Sequence, residues 1–447
     1  MNSAKLSVLE KVGFGAGDMA VNVMIAAMFF FMSYFYTDIF GLDPKDMGTL
    51  FLVARFVDAF TDPLMGIITD RFKFKGGRFR PYFLYLSVPY GLAVILLFTT
   101  PDLEYNMKLV WAYATYLFAT MLFTGVAIPY ISYIGVLTAD PQERLSANGY
   151  RMFFAKIANV LIVWSVPVIA GLFGAEHVAK GYQVAMIIMS TIGALLLYFC
   201  YKTTRERIEH VVEKQSFFSQ LALLLKNDQW LVLCACCVLG TLGYAIRGAV
   251  ALYYAKYYLG MSAEAAGSFT AAGIAASIGS MVASTWITKK YCKVDLFRWS
   301  QLAVGLLSAA LYFLVGQGDI FLAFALYMLL CFVVDLHAPI FWSAIAEAVD
   351  YGHIKNKQRV SGLAFGGISF CQKAGMGLAG FAVGHLLSHF NYTANTVQTD
   401  FTLNGIALML TLIPALFHVL MGLAMFKYKV TDKYYKTMVE HKTLPSI

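Results

Sequence analysis

Three ionisable residues inside one apolar stretch are the first positions in this 447-residue chain whose types and spacing could do chemistry. In Phe51-Leu52-Val53-Ala54-Arg55-Phe56-Val57-Asp58-Ala59-Phe60-Thr61-Asp62-Pro63, Arg55, Asp58 and Asp62 stand at i, i+3 and i+7, which places them on one face of a helix. A charge held in the middle of a bilayer costs about 2.5–3.5 kcal/mol on insertion scales, so charges kept there point to function. Two carboxylates one turn apart, with Thr61 beside them, form an oxygen-rich site suited to Na⁺ or to a proton. The competing reading is a buried Arg55–Asp58 salt bridge that fixes the helix, with Asp62 near a water-filled vestibule. That accounts for one acid more easily than for two, since neighbouring carboxylates repel unless a cation shares them.

Other ionisable groups also fall within apolar runs. Arg151 and Lys156, Arg247, and Lys373 between glycines are basic groups that can face a cavity and pair with an acid or a solute; Arg151 can equally anchor by snorkelling. Asp18, in Gly13-Phe14-Gly15-Ala16-Gly17-Asp18, is either a site residue or a polar contact between helices. Asp335 and His337 suggest a proton relay, but two positions apart on a continuous helix they point to different faces.

The elements that must carry these groups are membrane helices. With 59% hydrophobic and 13% charged residues, the chain is too apolar for a soluble surface. Apolar runs long enough to span a bilayer recur at 14–40, 47–70, 81–100, 108–138, 148–174, 181–201, 229–259, 265–288, 294–316, 319–349, 358–388 and 402–428. The first is too long for a cleavable signal peptide and is expected to remain as a helix. A polar interruption at 202–228, with Arg205, Glu206, Arg207, Glu209 and Glu213, separates two sets of six: residues 1–201 and 229–428, followed by a tail at 429–447. This is an all-α membrane protein of twelve spans with the layout of a duplicated six-plus-six transporter, although no clear sequence similarity links the halves.

Alternate loops are basic: Arg71 to Arg80, Lys289 to Arg298, Lys355 to Arg359, the central linker, and the tail with Lys427, Lys429, Lys433 and Lys436. The rule that basic loops stay inside puts these loops and both termini in the cytoplasm and absorbs the net charge of +8, leaving little support for nucleic-acid binding. The seven cysteines lie almost all in apolar segments and read as packing residues. Asn391-Tyr392-Thr393 matches a glycosylation triplet, a frequent chance occurrence. No nucleophile–base pair, metal cluster or phosphate-cradling loop suggests an enzyme or a cofactor.

The segment Gly48 to Gly66 around Arg55, Asp58 and Asp62, continuing through Asp70-Arg71 and Gly77-Arg78-Phe79-Arg80-Pro81, resembles the glycoside–pentoside–hexuronide:cation symporters, the group that includes melibiose permease. Tyr36-Thr37-Asp38-Ile39-Phe40-Gly41, Ile128-Pro129-Tyr130, Arg151 with Phe153-Phe154-Ala155, Asp350-Tyr351-Gly352 and Lys373 agree with it along essentially the whole chain. The resemblance implies the major facilitator fold, with two six-helix bundles working by alternating access. It also implies sugar symport driven by Na⁺, Li⁺ or H⁺, in a chain that works as a monomer in the bacterial cytoplasmic (inner) membrane. By position, Asp58, Asp62 and Thr124 match the cation site, and Arg151 and Lys373 match basic residues lining the sugar and cation sites. The acids that grip the sugar in melibiose permease fall here on Asn22 and Ala127. A solute site containing Asn22, Asp18, Arg151, Arg247 and Lys373 but lacking those acids suits an acidic sugar such as a uronide; a neutral pentoside or hexoside is the alternative. A facilitator or exporter of a sugar-derived acid, and a non-transporting sensor or lipid-handling protein on the same scaffold, are the competing functions.

Overall fold

The computed structural model describes residues 5–138, 141–208, 217–358, 360 and 362–440. Every backbone polar group inside hydrocarbon must be satisfied internally, which leaves helices as the answer for these apolar runs. The twelve spans are α1 (Val8–Tyr34), α2 (Pro44–Arg71), α3 (in two pieces, Arg80–Tyr85 and Ser87–Leu97), α4 (Tyr105–Leu137), α5 (Pro141–Gly171) and α6 (Val178–Thr203), then α7 (Asp228–Tyr253), α8 (Ala263–Ile287), α9 (Lys293–Leu314), α10 (Ile320–Asp335 and Ala338–Asn356), α11 (Gly362–His389) and α12 (Asp400–Leu410 and Leu412–Ala424). Among the described residues, nine helical stretches are long and apolar enough to cross a membrane. Among the other three, α2 carries Arg55, Asp58 and Asp62, and α3 is broken at Leu86 into two short pieces.

Local sequence sets the helix starts. Ser7 and Glu10 form a reciprocal capping box at α1, Asp43 caps α2 with Pro44 at its first position, and the Asn227 side chain accepts from the Trp230 amide at the start of α7. Two short helices that hydropathy did not anticipate, Phe217–Leu225 and Asp432–Glu440, lie in the linker and the tail. Glu209, Glu213 and Arg359 lie outside the described residues. In the basic loop after α2, the backbone N–H groups of Arg78, Phe79 and Arg80 all donate to the Glu206 carboxylate at 2.8–3.0 Å, which fixes the start of α3.

The chain forms two units: Met1–Glu213 with Met261–Ala271 and Leu387–Gln398, and Lys214–Gly260 with Ala272–Leu386 and Thr399–Ile447. Their first helices end alike. α1 runs into a wide turn, Phe35–Ile39, closed by the Phe40 N–H on the Phe35 carbonyl; α7 runs into Tyr254–Tyr258, closed by the Leu259 N–H on the Tyr254 carbonyl. Gly41 (φ +80°) and Gly260 (φ +67°) follow, each in the left-handed region that glycine enters without strain. An offset of 219 residues carries Tyr34 onto Tyr253, Gly41 onto Gly260 and Pro44, the first residue of α2, onto Ala263, the first residue of α8. The duplication that the residues hid is plain in the backbone.

Candidate functional site

In the first unit, α2 and α4 lie side by side in register. Arg55 donates from Nη1 to Asp58 Oδ2 at 2.7 Å and from Nη2 to the Tyr116 hydroxyl at 3.3 Å; two turns further along both helices, the Thr124 hydroxyl donates to Asp62 Oδ1 at 2.8 Å. The 3.6-residue period explains the match, since 55, 58 and 62 on α2 meet 116, 120 and 124 on α4. Asp58 is 2% exposed, and Thr120 and Thr124 are buried. The salt bridge weighed from sequence is therefore present, and so is a hydroxyl on the second acid. The two carboxylates lie on one seam, with Arg55 bonded to the first and Thr124 to the second. Among the described residues no three His, Cys, Asp or Glu side chains converge as a metal centre.

The other sequence-derived residues of this unit meet on α1 and α5. Arg151 Nε lies 3.8 Å from Asp18 Oδ2, and the Asn22 amide nitrogen donates to the Asp18 carbonyl at 2.8 Å, back onto its own helix. Ala127 is buried. Asp18, Asn22 and Arg151 thus form one polar patch, with Arg151 facing an acid of the protein.

In the second unit, Arg247 is 4% exposed on α7, and its Nε donates at 3.3 Å to the carbonyl of Leu410, the last residue before the break in α12 at Thr411. Lys373 is half-buried on α11. Asp335 and His337 depart from the sequence reading. Both line one cavity, because α10 stops at Asp335 and restarts at Ala338 ahead of Pro339; the 100° step of a continuous helix does not apply across the interruption. His418 on α12, also on that cavity, was absent from the sequence reading. It is fully buried, with Nδ1 3.0 Å from the Gln301 side-chain oxygen of α9.

Sequence reasoning also missed a cluster around Asp38. This buried carboxylate accepts from Thr37 at 2.8 Å and from the Tyr392 hydroxyl at 2.5 Å, and its backbone carbonyl accepts from the Asn395 amide. The middle residue of the glycosylation triplet is thus buried against the Phe35–Ile39 turn that follows α1. Partners separated by 354 positions leave no local signal.

A sequence profile for the MFS/sugar transport protein family matches residues 13–432. Among similar proteins are the inner membrane symporter YicJ of Escherichia coli (strain K12), 33% identical over 98% of this chain and 96% of that one, and the isoprimeverose transporter of Lactiplantibacillus pentosus, 31% identical over 94% and 88%. The glucuronide carrier protein homolog of Escherichia coli (strain K12) is 28% identical over 97% and 95%. The crystal structure of a D-xylose-proton symporter superposes with a TM-score of 0.65 at 14% identity, covering 94% of this chain and 97% of that chain, a likeness of fold.

Proposed function

Because this chain belongs to the MFS/sugar transport protein family and is a multi-pass membrane transporter of that fold, we propose that it is a secondary symporter that carries a glycoside together with one monovalent cation, with Asp58, Asp62 and Thr124 as the ion site. The pairing of two acids on the α2–α4 seam carries this reading. Arg55 bonds Asp58, and one turn further along α2 the Thr124 hydroxyl bonds Asp62, so the seam holds a second acid with a hydroxyl oxygen beside it. One Na⁺, Li⁺ or proton would be held at the Asp62–Thr124 end. A salt bridge with only a structural role needs no second acid, and the cost of holding acids in the membrane is what a coupling ion lowers.

Coupling follows by linkage. If the ion-loaded seam favours the conformation that binds glycoside, the ion raises sugar affinity and the sugar raises ion affinity by the same factor. With basic loops inside, both termini are cytoplasmic.

A neutral glycoside is favoured over an acidic one, because Arg151, one of the cations that suggested a uronide, already faces the acid Asp18. Arg247 donates from Nε alone to the Leu410 carbonyl, and Lys373 is engaged as well. Among the relatives, the isoprimeverose transporter and the glucuronide carrier homolog carry names of either kind. Uptake into proteoliposomes of labelled neutral and acidic glycosides, each under a Na⁺, Li⁺ or pH gradient alone, tests the reading. Accumulation of a neutral glycoside under one of these gradients supports it; accumulation of acidic sugars alone restores the uronide; equilibration without accumulation under every gradient contradicts symport.

A further inference from the structure

The last span of the second unit breaks at Thr411 (φ −111°, ψ −83°), just ahead of Pro414. In an unbroken helix each carbonyl accepts from the N–H four positions further on. Ala407 accepts from the Thr411 amide at 3.1 Å and Thr411 accepts from the Ala415 amide at 3.0 Å, so the pattern holds on both sides of Leu410. The Leu410 carbonyl would need an N–H at position 414, and proline has none. A backbone carbonyl left unserved within a membrane span is costly, so another donor has to reach it.

Arg247 of α7 is that donor, with Nε 3.3 Å from the Leu410 oxygen and the side chain buried. One turn earlier on the same face of α7, Gly243 lets the two helices meet at the bend: a Cβ there would stand 3.0 Å from the Pro414 carbonyl oxygen. The outer guanidinium adds nothing to this contact, since Nη2 is buried and has no hydrogen-bond partner among the described residues. Nor does Arg247 line the cavity that holds Asp335, His337 and His418. The side chain supplies reach and one N–H, and both are spent on the carbonyl that Pro414 leaves free.

The first unit lacks both halves of the arrangement. Its last span, α6, runs unbroken from Val178 to Thr203 with no proline, and the offset of 219 residues that relates α1 to α7 carries Arg247 onto Met28. Met28 is buried as well. An apolar side chain fills this place where the neighbouring helix is continuous, and a donor fills it where the helix is broken.

We infer that Arg247 is a positioning residue: it pins the bend of α12 to α7 by standing in for the N–H that Pro414 lacks, and what the site requires is a donor at Nε, not a positive charge. Beyond the bend α12 carries His418 and Met421, which line the cavity, and His418 is tied in turn to Gln301 of α9 at 3.0 Å. Arg247 thus acts on the cavity wall through the course of α12. The inference does not depend on which solute or ion is carried.

The test is a double-substitution cycle in the full chain, read by the unfolding midpoint in detergent and by the kinetics of glycoside uptake. Arg247→Met is expected to lower the midpoint and to cut the maximal uptake rate about tenfold. Pro414→Ala returns an N–H to α12, so Arg247→Met combined with it should recover the midpoint, and the rate to within about twofold of Pro414→Ala alone. Arg247→Gln discards the charge but keeps a donor nitrogen as many bonds from Cα as Nε, and should retain most of what Arg247→Met loses, with KM unchanged. If Arg247→Met alone does not fold, a folded combined variant supports the inference and an unfolded one overturns it. No loss in Arg247→Met, or the same loss with and without Pro414→Ala, overturns it as well. So does an Arg247→Gln protein of wild-type stability whose KM rises about tenfold or more, a result that would assign the charge to an anionic solute. A wild-type protein that accumulates no glycoside fails the symport reading instead, and the midpoints still decide this one.

Discussion

The helices α2 and α8 begin at positions that the 219-residue offset relates, and they differ in the property that matters most. The offset that relates the units carries Arg55 onto Ile274, Asp58 onto Ser277 and Asp62 onto Met281. Where α2 places three charges, α8 places two apolar side chains and a serine. Ser277 is buried, donates to the Gly273 carbonyl of its own helix and accepts nothing that a packed core could not provide. The same fold position is thus filled without charge in one unit and with three charges in the other. The scaffold does not require the acids of α2, and the proposed ion site accounts for their insertion cost of about 2.5–3.5 kcal/mol each.

The largest effect that sharpens this contrast is on coupling. Asp62→Asn removes a carboxylate of the proposed ion site and is expected to abolish concentrative uptake in vesicles while sugar exchange continues, whereas Ser277→Ala at the equivalent place in α8 leaves uptake within about twofold, as for a neutral side chain bonded to its own helix. Equal losses in both variants would break the comparison. Next in size, Arg55→Ala takes the guanidinium away from the buried Asp58 carboxylate and should lower stability by about 3–5 kcal/mol, read as a fall in the detergent unfolding midpoint; Arg55→Ala combined with Asp58→Ala should recover much of it. Thr124→Val removes a hydroxyl bonded to a carboxylate, worth about 1.5–3 kcal/mol, and predicts a cation requirement raised about 10- to 100-fold with the sugar KM at saturating cation nearly unchanged. Smallest, Tyr392→Phe removes one of the donors to Asp38 and should cost about 1–3 kcal/mol of stability, with cation activation unaffected.

How much of this was legible in the residues follows from which signals are local. The charges of α2 stood out because they violate the apolar pattern around them, and the twelve spans stood out because no other structure satisfies such runs in lipid. The pairing of Asp62 with Thr124 came through resemblance, since nothing in the spacing of one helix tells which neighbour it meets. The duplication escaped because it is carried by backbone geometry at Phe35–Ile39 and Tyr254–Tyr258, where Tyr34 and Gly41 with their counterparts are the few identities that remain. The cavity containing Asp335 and His337 escaped because an uninterrupted helix was assumed where Pro339 permits a restart. Asp38 with Tyr392 escaped because contact order that long has no trace in the local sequence.

The most direct test of the central claim is a reciprocal titration on purified protein: the glycoside dissociation constant with and without the coupling cation, and the cation dissociation constant with and without glycoside. The account predicts equal enhancement factors in the wild-type protein and a factor of one for the sugar in Asp62→Asn. An Asp62→Asn protein whose glycoside affinity still rises with the cation as in wild type would contradict it.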